Sequence, residues 1–218
     1  MLYIMGSLKS FFILLIPYIF IELIISMYYE NRKVKVTKGF AAGWLIFASL
    51  FTAMVYITGS AGINEIGSAG ISLIRFDEIN LIPFYGCDLF GLVMNVLLFV
   101  PLGALAPMLW QSCSDFKETL ISGLIFSLII EISQLFNFRT TDINDLMMNT
   151  LGTAVGYGLY SMLFYRISFF KTDDSQMKNG AVFNIAVLYV FYLFQFTFNI
   201  AYCFGIIYFG PVCYLTHK

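Results

Sequence analysis

The sequence has few charged residues and a single histidine. Asp, Glu, Lys and Arg make up 11% of the 218 residues, whereas about 25% is typical of globular proteins. A water-soluble fold could not cover its surface with so few charged groups, which excludes a soluble enzyme, a nucleic-acid-binding protein and a disordered chain. His217 stands almost at the end of the chain, and the four cysteines show no CxxC spacing. These residues do not indicate a histidine triad, a zinc site or a disulfide framework.

Long apolar runs are what the chain does have. Hydrophobic residues reach 60%, and a helix needs about 20 apolar residues to cross a bilayer core. The sequence therefore predicts an all-α fold, a polytopic transmembrane helix bundle of about six spans. The predicted spans are Ser10–Tyr29, Gly39–Thr58, Phe90–Trp110, Thr119–Phe136, Leu146–Tyr165 and Asn179–Thr216, of which the last could hold two short spans.

The distribution of Lys and Arg predicts the orientation of these spans. The loops after spans one, three and five carry eight cations, and the other compartments carry four. Cytoplasmic loops of membrane proteins hold the excess of cations. We therefore expect Asn31–Lys38 inside, Gly59–Leu89 and Asn137–Asp145 outside, and both termini extracellular.

Span four carries polar side chains that are costly inside a membrane. An ionisable residue there costs roughly 2.5–3.5 kcal/mol on insertion scales and is a candidate functional residue. Ser127, Glu131 and Gln134 are spaced i, i+4 and i+7, which places them on one helix face. Their position predicts a polar site toward the outer end of the span.

The start of span five continues this polar surface beyond Arg139. Thr140 or Thr141 is the predicted N-cap of its helix. The stripe that follows, by steps of three and four, is Asp142, Asp145, Asn149, Gly152 and Gly156. The two glycines form a G-x-x-x-G pair, typical of close helix packing.

Asn80 and Asn95 are predicted to lie at the same membrane depth. Together with the residues of spans four and five they predict one outward-facing polar cavity. Three alternatives remain open from the residues alone: Glu131 could be a structural ion-pair partner of Arg139, Asn95 could bond a neighbouring helix, and Glu22 could serve packing in span one.

Four segments, in this order, resemble the signatures of the VanZ-like family. They are N-L-I-P-F at Asn80–Phe84, N-V-L-L-F-V-P-L-G at Asn95–Gly103, S-L-I-I-E-I-S-Q at Ser127–Gln134, and the segment Arg139–Gly152. The resemblance implies a multi-pass protein of the bacterial plasma membrane and a link to teicoplanin resistance. It also implies a family core at residues 59–165, preceded by two helices in residues 1–58 and followed by a cytoplasmic loop and a helix in residues 166–218. The family is grouped with proteins proposed to act on phosphate-bearing lipid head groups.

The predicted partner is a membrane lipid or a lipid-linked envelope precursor. An enzyme would be a head-group transferase or hydrolase, with carboxylates as general acid and base, and a non-catalytic binder would need nearly the same residues. A transporter is disfavoured because the polar residues cluster at one depth. No cofactor is predicted, although the carboxylates could hold a divalent cation. The candidate catalytic residues are Glu131, Asp142 and Asp145, and the candidate substrate-binding residues are Arg139, Asn80, Asn95, Gln134 and Asn149.

Overall fold

The computed structural model describes residues 18–58, 79–86, 88–135, 141–174 and 180–197. These residues are predominantly helical, which confirms the all-α prediction. The helices are α1 (residues 18–31), α2 (Lys38–Thr58), α3 (Leu89–Leu109), α4 (Phe116–Gln134), α5 (Ile143–Leu159) and α6 (Gly180–Thr197). A short 3-10 helix, Gln111–Cys113, follows α3, and a π-helical turn, Tyr160–Phe164, extends α5.

The helices follow the long apolar runs of the sequence. The predicted segment Gly39–Thr58 corresponds to α2, and Phe90–Trp110 corresponds to α3 with a shift of one residue. Of the predicted first span, residues 10–17 lie outside the described residues. Of the predicted last span, the described helix α6 ends at Thr197. Between α2 and α3 the chain forms a two-residue strand, which the apolar pattern does not predict.

Two short strands join distant parts of the chain. Strand β1 (Ile79–Asn80) pairs in parallel with β2 (Thr141–Asp142), with Asn80 opposite Asp142. Strand β2 leads directly into α5. The pair therefore fixes the segment before α3 against the start of α5.

Glycines allow α3 and α5 to pack with their backbones close together. A Cβ atom added at Gly152 would overlap the carbonyl oxygen of Val96, and one at Gly156 would overlap that of Val100. In the opposite direction, a Cβ at Gly103 would overlap the carbonyl of Thr153. The G-x-x-x-G pair of the sequence is thus a packing motif, as predicted.

A buried polar network ties α1, α2, α6 and the residue that follows α3 together. The indole nitrogen of Trp44 donates to the side-chain oxygen of Asn184 at 2.8 Å. The Asn184 amide and the Trp110 indole both donate to the Tyr29 hydroxyl, at 2.7 and 3.1 Å. All four side chains are completely buried. These bonds satisfy both indole donors, so the network can lie within the apolar core without leaving those donors unpaired.

The connections after α1, α3 and α5 meet at one end of the bundle, which we call the connection end. Thr172 donates its backbone N–H to Leu109 at 2.9 Å and its hydroxyl to the carbonyl of Lys35 at 3.1 Å. Asp174 accepts from the backbone N–H and the hydroxyl of Ser112, at 2.8 and 2.6 Å. The opposite end, formed by the last turns of α2 and α4 and the first turns of α3 and α5, is the cavity end.

Helix α3 is the one described helix that is both long and apolar enough to cross a membrane by itself. Its best window has a mean hydropathy of 2.3, and only 22% of that window is buried within the protein. Shorter apolar helical segments occur at Lys38–Met54 and Ala181–Val190. These lengths support membrane association.

Candidate functional site

Asp142 begins helix α5 and connects it to α4. Its carboxylate accepts the backbone N–H of Asn144 at 2.8 Å, so Asp142 is the N-cap. The prediction of Thr140 or Thr141 as the cap was wrong, because Thr141 belongs to strand β2 and its hydroxyl donates to the carbonyl of Glu131. The side chain of Asp142 therefore serves the helix terminus.

Glu131 lies in the last turns of α4 and is only 4% exposed. Its Oε2 atom accepts the backbone N–H of Asp142 at 3.0 Å. Its other oxygen, Oε1, is buried and has no hydrogen-bond partner among the described residues. One oxygen of this carboxylate is thus fixed to strand β2, the other is buried without a partner among the described residues, and the residue lines a neighbouring space.

That space is a cavity of about 270 Å³ at the cavity end. It forms where the end of α4 and the beginning of α5 lie beside the start of α3 and the end of α2. Its apolar wall comes from α2 and α3. The polar residues among its lining include Asn95, Glu131, Gln134, Asp145 and Asn149, and the apolar ones are Ile57, Met94, Leu97 and Leu98.

Hydrogen bonds hold the polar lining residues in place. Asn95 donates its amide to Asp145 at 2.5 Å, and this bond joins α3 to α5. The Asn149 amide lies 2.9 Å from the Ser127 hydroxyl, joining α5 to α4. Each of these contacts crosses between two helices, so the orientation of the lining depends on helix packing.

Gln134 completes the polar lining from the last turn of α4. Its Nε2 donates to the backbone carbonyl of Thr58 at 2.9 Å, whereas its Oε1 is buried without a partner in the described chain. Ser127, Glu131 and Gln134 are all buried. The helix face on which their spacing placed them is therefore a buried face of α4.

Asn80 does not line the cavity. Its side chain accepts the N–H of Ile82 and donates to the carbonyl of Tyr85, both at 3.2 Å, so it stabilises its own turn. Its backbone contributes through β1, opposite Asp142. Arg139 lies outside the described residues, so its role and its possible ion pair with Glu131 stay predictions. Of the eight candidate residues, five line the cavity.

Asn144 is a buried polar residue that the sequence patterns did not single out. Its side-chain oxygen accepts the N–H of Phe84 at 2.7 Å. Phe84 has a φ of 62°, a left-handed conformation that is uncommon for a bulky residue. The bond links α5 to the turn after β1. Its partner is 60 residues away in sequence, so no local pattern could have revealed it.

The described residues contain no group of three or more His, Cys, Asp or Glu side chains placed to hold a metal ion. Of the three candidate carboxylates, Glu131 and Asp145 line the cavity, while Asp142 caps α5. The suggested divalent cation remains a prediction.

Comparison with known proteins places the chain in a family. The sequence model of the VanZ/LLP1 family matches residues 39–165, more than half of the chain. The chain belongs to this family. It is also similar to "Protein VanZ" of Enterococcus faecium, with 34% identity over 87 residues. That alignment covers 39% of this chain and 53% of the relative, so the chain spans about half the length of the curated relative it matches. No solved structure matches the chain.

Proposed function

We propose that this VanZ-like protein crosses the bacterial plasma membrane about six times, with its cavity end facing outward. The described cations support this orientation. Those near the connection end are Arg32, Lys33, Lys35, Lys38, Lys117, Arg166 and Lys171, and no Lys or Arg of the described residues lines the cavity. A cation-rich end is the expected cytoplasmic end. The termini, proposed to be extracellular, fall outside the described residues.

Exposed apolar side chains support contact with lipid at the cavity end. In the turn after β1, Leu81 and Tyr85 are each 69% exposed, and Phe90 in the first turn of α3 is also exposed. Clusters of exposed apolar residues typically mark contacts with a partner or a membrane. The cavity therefore lies beside a surface suited to the acyl region of a bilayer.

The proposed function is recognition of a phosphate-bearing lipid or lipid-linked envelope precursor at this cavity, with a consequence for glycopeptide (teicoplanin) resistance. The observation that carries the proposal is the cavity itself, in which polar groups from α3, α4 and α5 face an apolar wall from α2 and α3. Such a combination suits an amphipathic molecule, because apolar walls bind its hydrocarbon part while a few polar groups orient its head.

Arg139 is the proposed phosphate ligand. It lies between Glu131 on α4 and Asp142 at the start of α5 in the sequence. A guanidinium can hold a phosphate by two parallel hydrogen bonds, which an ammonium cannot reproduce. We therefore propose that Arg139 binds the phosphate of the lipid that the cavity recognises.

The test is lipid binding by the purified full-length protein, measured by native mass spectrometry. Phosphatidylglycerol should bind more tightly than diacylglycerol with the same acyl chains, and both Arg139→Lys and Arg139→Ala should abolish the difference. Teicoplanin sensitivity of cells expressing each variant provides the cellular measurement. Equal binding of the two lipids to the unmodified protein would contradict the function.

Catalysis and simple binding differ in their dependence on Glu131. An enzyme that uses Glu131 as general acid or base should lose head-group turnover in Glu131→Gln, since the amide cannot transfer the proton. A binder would show no turnover in either form. Release of a labelled head group from a bound lipid distinguishes the two.

A further inference from the structure

Gln134, which lines the cavity, carries a buried hydrogen-bond acceptor of fixed orientation. Its Nε2 lies 2.9 Å from the carbonyl oxygen of Thr58. Because a carbonyl can only accept, the nitrogen must occupy that side and Oε1 the other. Gln134 Oε1 is buried and has no partner among the described residues.

Glu131 presents a second acceptor in the same way. Its Oε2 is held by the backbone N–H of Asp142, which leaves Oε1 as the buried oxygen without a partner in the part of the chain that the structure describes. Glu131 and Gln134 both line the cavity, and each is more than nine-tenths buried. They stand three residues apart on α4, so the two free oxygens belong to adjacent positions on one helix face.

Unpartnered buried acceptors are rare in native proteins, because each leaves its full desolvation penalty uncompensated. Among the described residues that line the cavity, none is Lys, Arg or His, so these residues supply no cationic donor. A molecule that enters the cavity and carries N–H or O–H donors would satisfy the two oxygens. A molecule without such donors would leave them both unsatisfied.

We propose that the cavity binds the hydrogen-bond donor of a lipid head group, an ammonium or a hydroxyl, through Glu131 Oε1 and Gln134 Oε1. This inference rests on the proposed function and names the class of head group. In the proposed function the phosphate binds Arg139, and here the donor group of the same lipid enters the cavity. The volume of about 270 Å³ falls just below the roughly 300 Å³ at which small-molecule pockets begin, so the cavity has room for a head group beside its apolar wall but not for whole acyl chains.

The experiment compares lipids with identical acyl chains on the purified full-length protein, by competitive native mass spectrometry. Phosphatidylethanolamine carries a phosphate and an N–H donor. Phosphatidylcholine has the same phosphate and net charge but no donor, and phosphatidylglycerol offers hydroxyl donors. Diacylglycerol lacks the phosphate. We expect phosphatidylethanolamine to bind at least about tenfold more tightly than phosphatidylcholine, as for a hydrogen bond to a charged group.

The lipid series separates the inference from the proposed function. Equal binding of the ethanolamine and choline lipids, both above diacylglycerol, would overturn the donor site and leave phosphate recognition standing. Equal binding of all four lipids would overturn both. Phosphatidylglycerol binding above phosphatidylcholine would support hydroxyl as well as ammonium recognition, and its binding at the level of phosphatidylcholine would support the ammonium alone.

Glu131→Gln tests the residue assignment. The amide keeps an oxygen for the Asp142 N–H and replaces the free acceptor by an NH₂ donor, so the preference for the ethanolamine over the choline lipid should fall to about one. The measured quantity is the ratio of the affinities for the ethanolamine and choline lipids, because loss of the negative charge changes the affinity for both. Glu22→Gln is the matched control, since Glu22 is also buried but is bonded to Ser26 on α1.

Gln134→Met provides a second variant that removes the other acceptor with little change in side-chain length. It should also reduce the preference for the ethanolamine lipid, whereas Glu22→Gln should retain it. An unchanged preference in both Glu131→Gln and Gln134→Met would overturn the proposal.

Discussion

The two ends of the helix bundle differ in how completely their buried polar groups are hydrogen-bonded. At the connection end, the completely buried carboxylate of Asp174 accepts two hydrogen bonds from Ser112, one to each oxygen. At the cavity end, the buried carboxylate of Glu131 accepts one bond on one oxygen, and its second oxygen has no partner among the described residues. Two carboxylates with similar burial are therefore satisfied to different degrees.

The same contrast extends to the neighbouring residues. Buried side-chain atoms without a partner in the described structure cluster at the cavity end, on Glu131, Gln134, Asn144 and Asn149, and Ser114 is the exception at the connection end. Satisfied buried polar groups specify a fold, while unsatisfied ones need an explanation outside the protein's own contacts. The connection end thus has the character of structural polar packing, and the cavity end contains most of the unsatisfied groups, as expected for the proposed binding site.

The largest effect on stability is expected from Asp174→Ala. The substitution leaves the N–H and hydroxyl of Ser112 without their charged acceptor, and it should lower the free energy of unfolding by about 3 kcal/mol. Unfolding in mixed detergent micelles measures this loss. Asp115→Ala is the control, because the exposed Asp115 makes no capping bond and should change stability by less than about 0.5 kcal/mol. Equal losses of unfolding free energy in Asp174→Ala and Asp115→Ala would show that the hydrogen bonds of Asp174 do not stabilise the connection end.

A smaller, local effect is expected from Asn144→Ala. Loss of the acceptor for the Phe84 N–H costs about 1 kcal/mol, and the turn after β1 should open more often. Hydrogen exchange of the Phe84 amide should accelerate about fivefold. Thr150→Ala is the control, since the Thr150 hydroxyl bonds only within α5. Unchanged exchange at Phe84 would show that another contact holds this turn.

Glu131→Gln should change stability least among the buried substitutions. The amide retains the bond to Asp142 and removes a charged group that is only half satisfied, so the free energy of unfolding should shift by less than about 1 kcal/mol. The same detergent titration measures it, with Glu118→Gln at the start of α4 as the control. A loss above about 2 kcal/mol specific to Glu131→Gln would show that the Glu131 carboxylate stabilises the fold, as Asp174 does.

The pH dependence of stability tests the role of the Asp174 carboxyl at the connection end. Burial raises the pKa of the Asp174 carboxyl above its ordinary value of 3.8, against the opposing effect of its hydrogen bonds to Ser112. The folded state therefore binds the proton more tightly than the unfolded state, and stability should fall as the pH rises from about 4 through the raised pKa. Asp174→Asn should flatten this part of the pH profile. An identical slope in the variant would assign the dependence to other groups.

Local patterns in the sequence sufficed for the helices and for one face of the site. An uncharged apolar run consists of consecutive residues, so it can be recognised without knowledge of the tertiary structure. For this reason α2 and α3 agree with the predicted segments to within one residue. The spacing of Ser127, Glu131 and Gln134 follows from the 3.6-residue period of a helix, and all three are buried on one side of α4. The G-x-x-x-G pair on α5 was likewise readable from spacing alone.

Tertiary structure alone decided which of these groups have partners. Nothing in the neighbourhood of Asn80 indicates that β1 pairs with β2 and that the Asn80 side chain turns back into its own loop. The bonds from Asn144 to Phe84 and from Ser112 to Asp174 span about 60 residues. The physical reason is that helix periodicity fixes only the direction of a side chain from its own axis. Whether that side chain meets a donor, an acceptor or an open cavity depends on how the other helices pack against it.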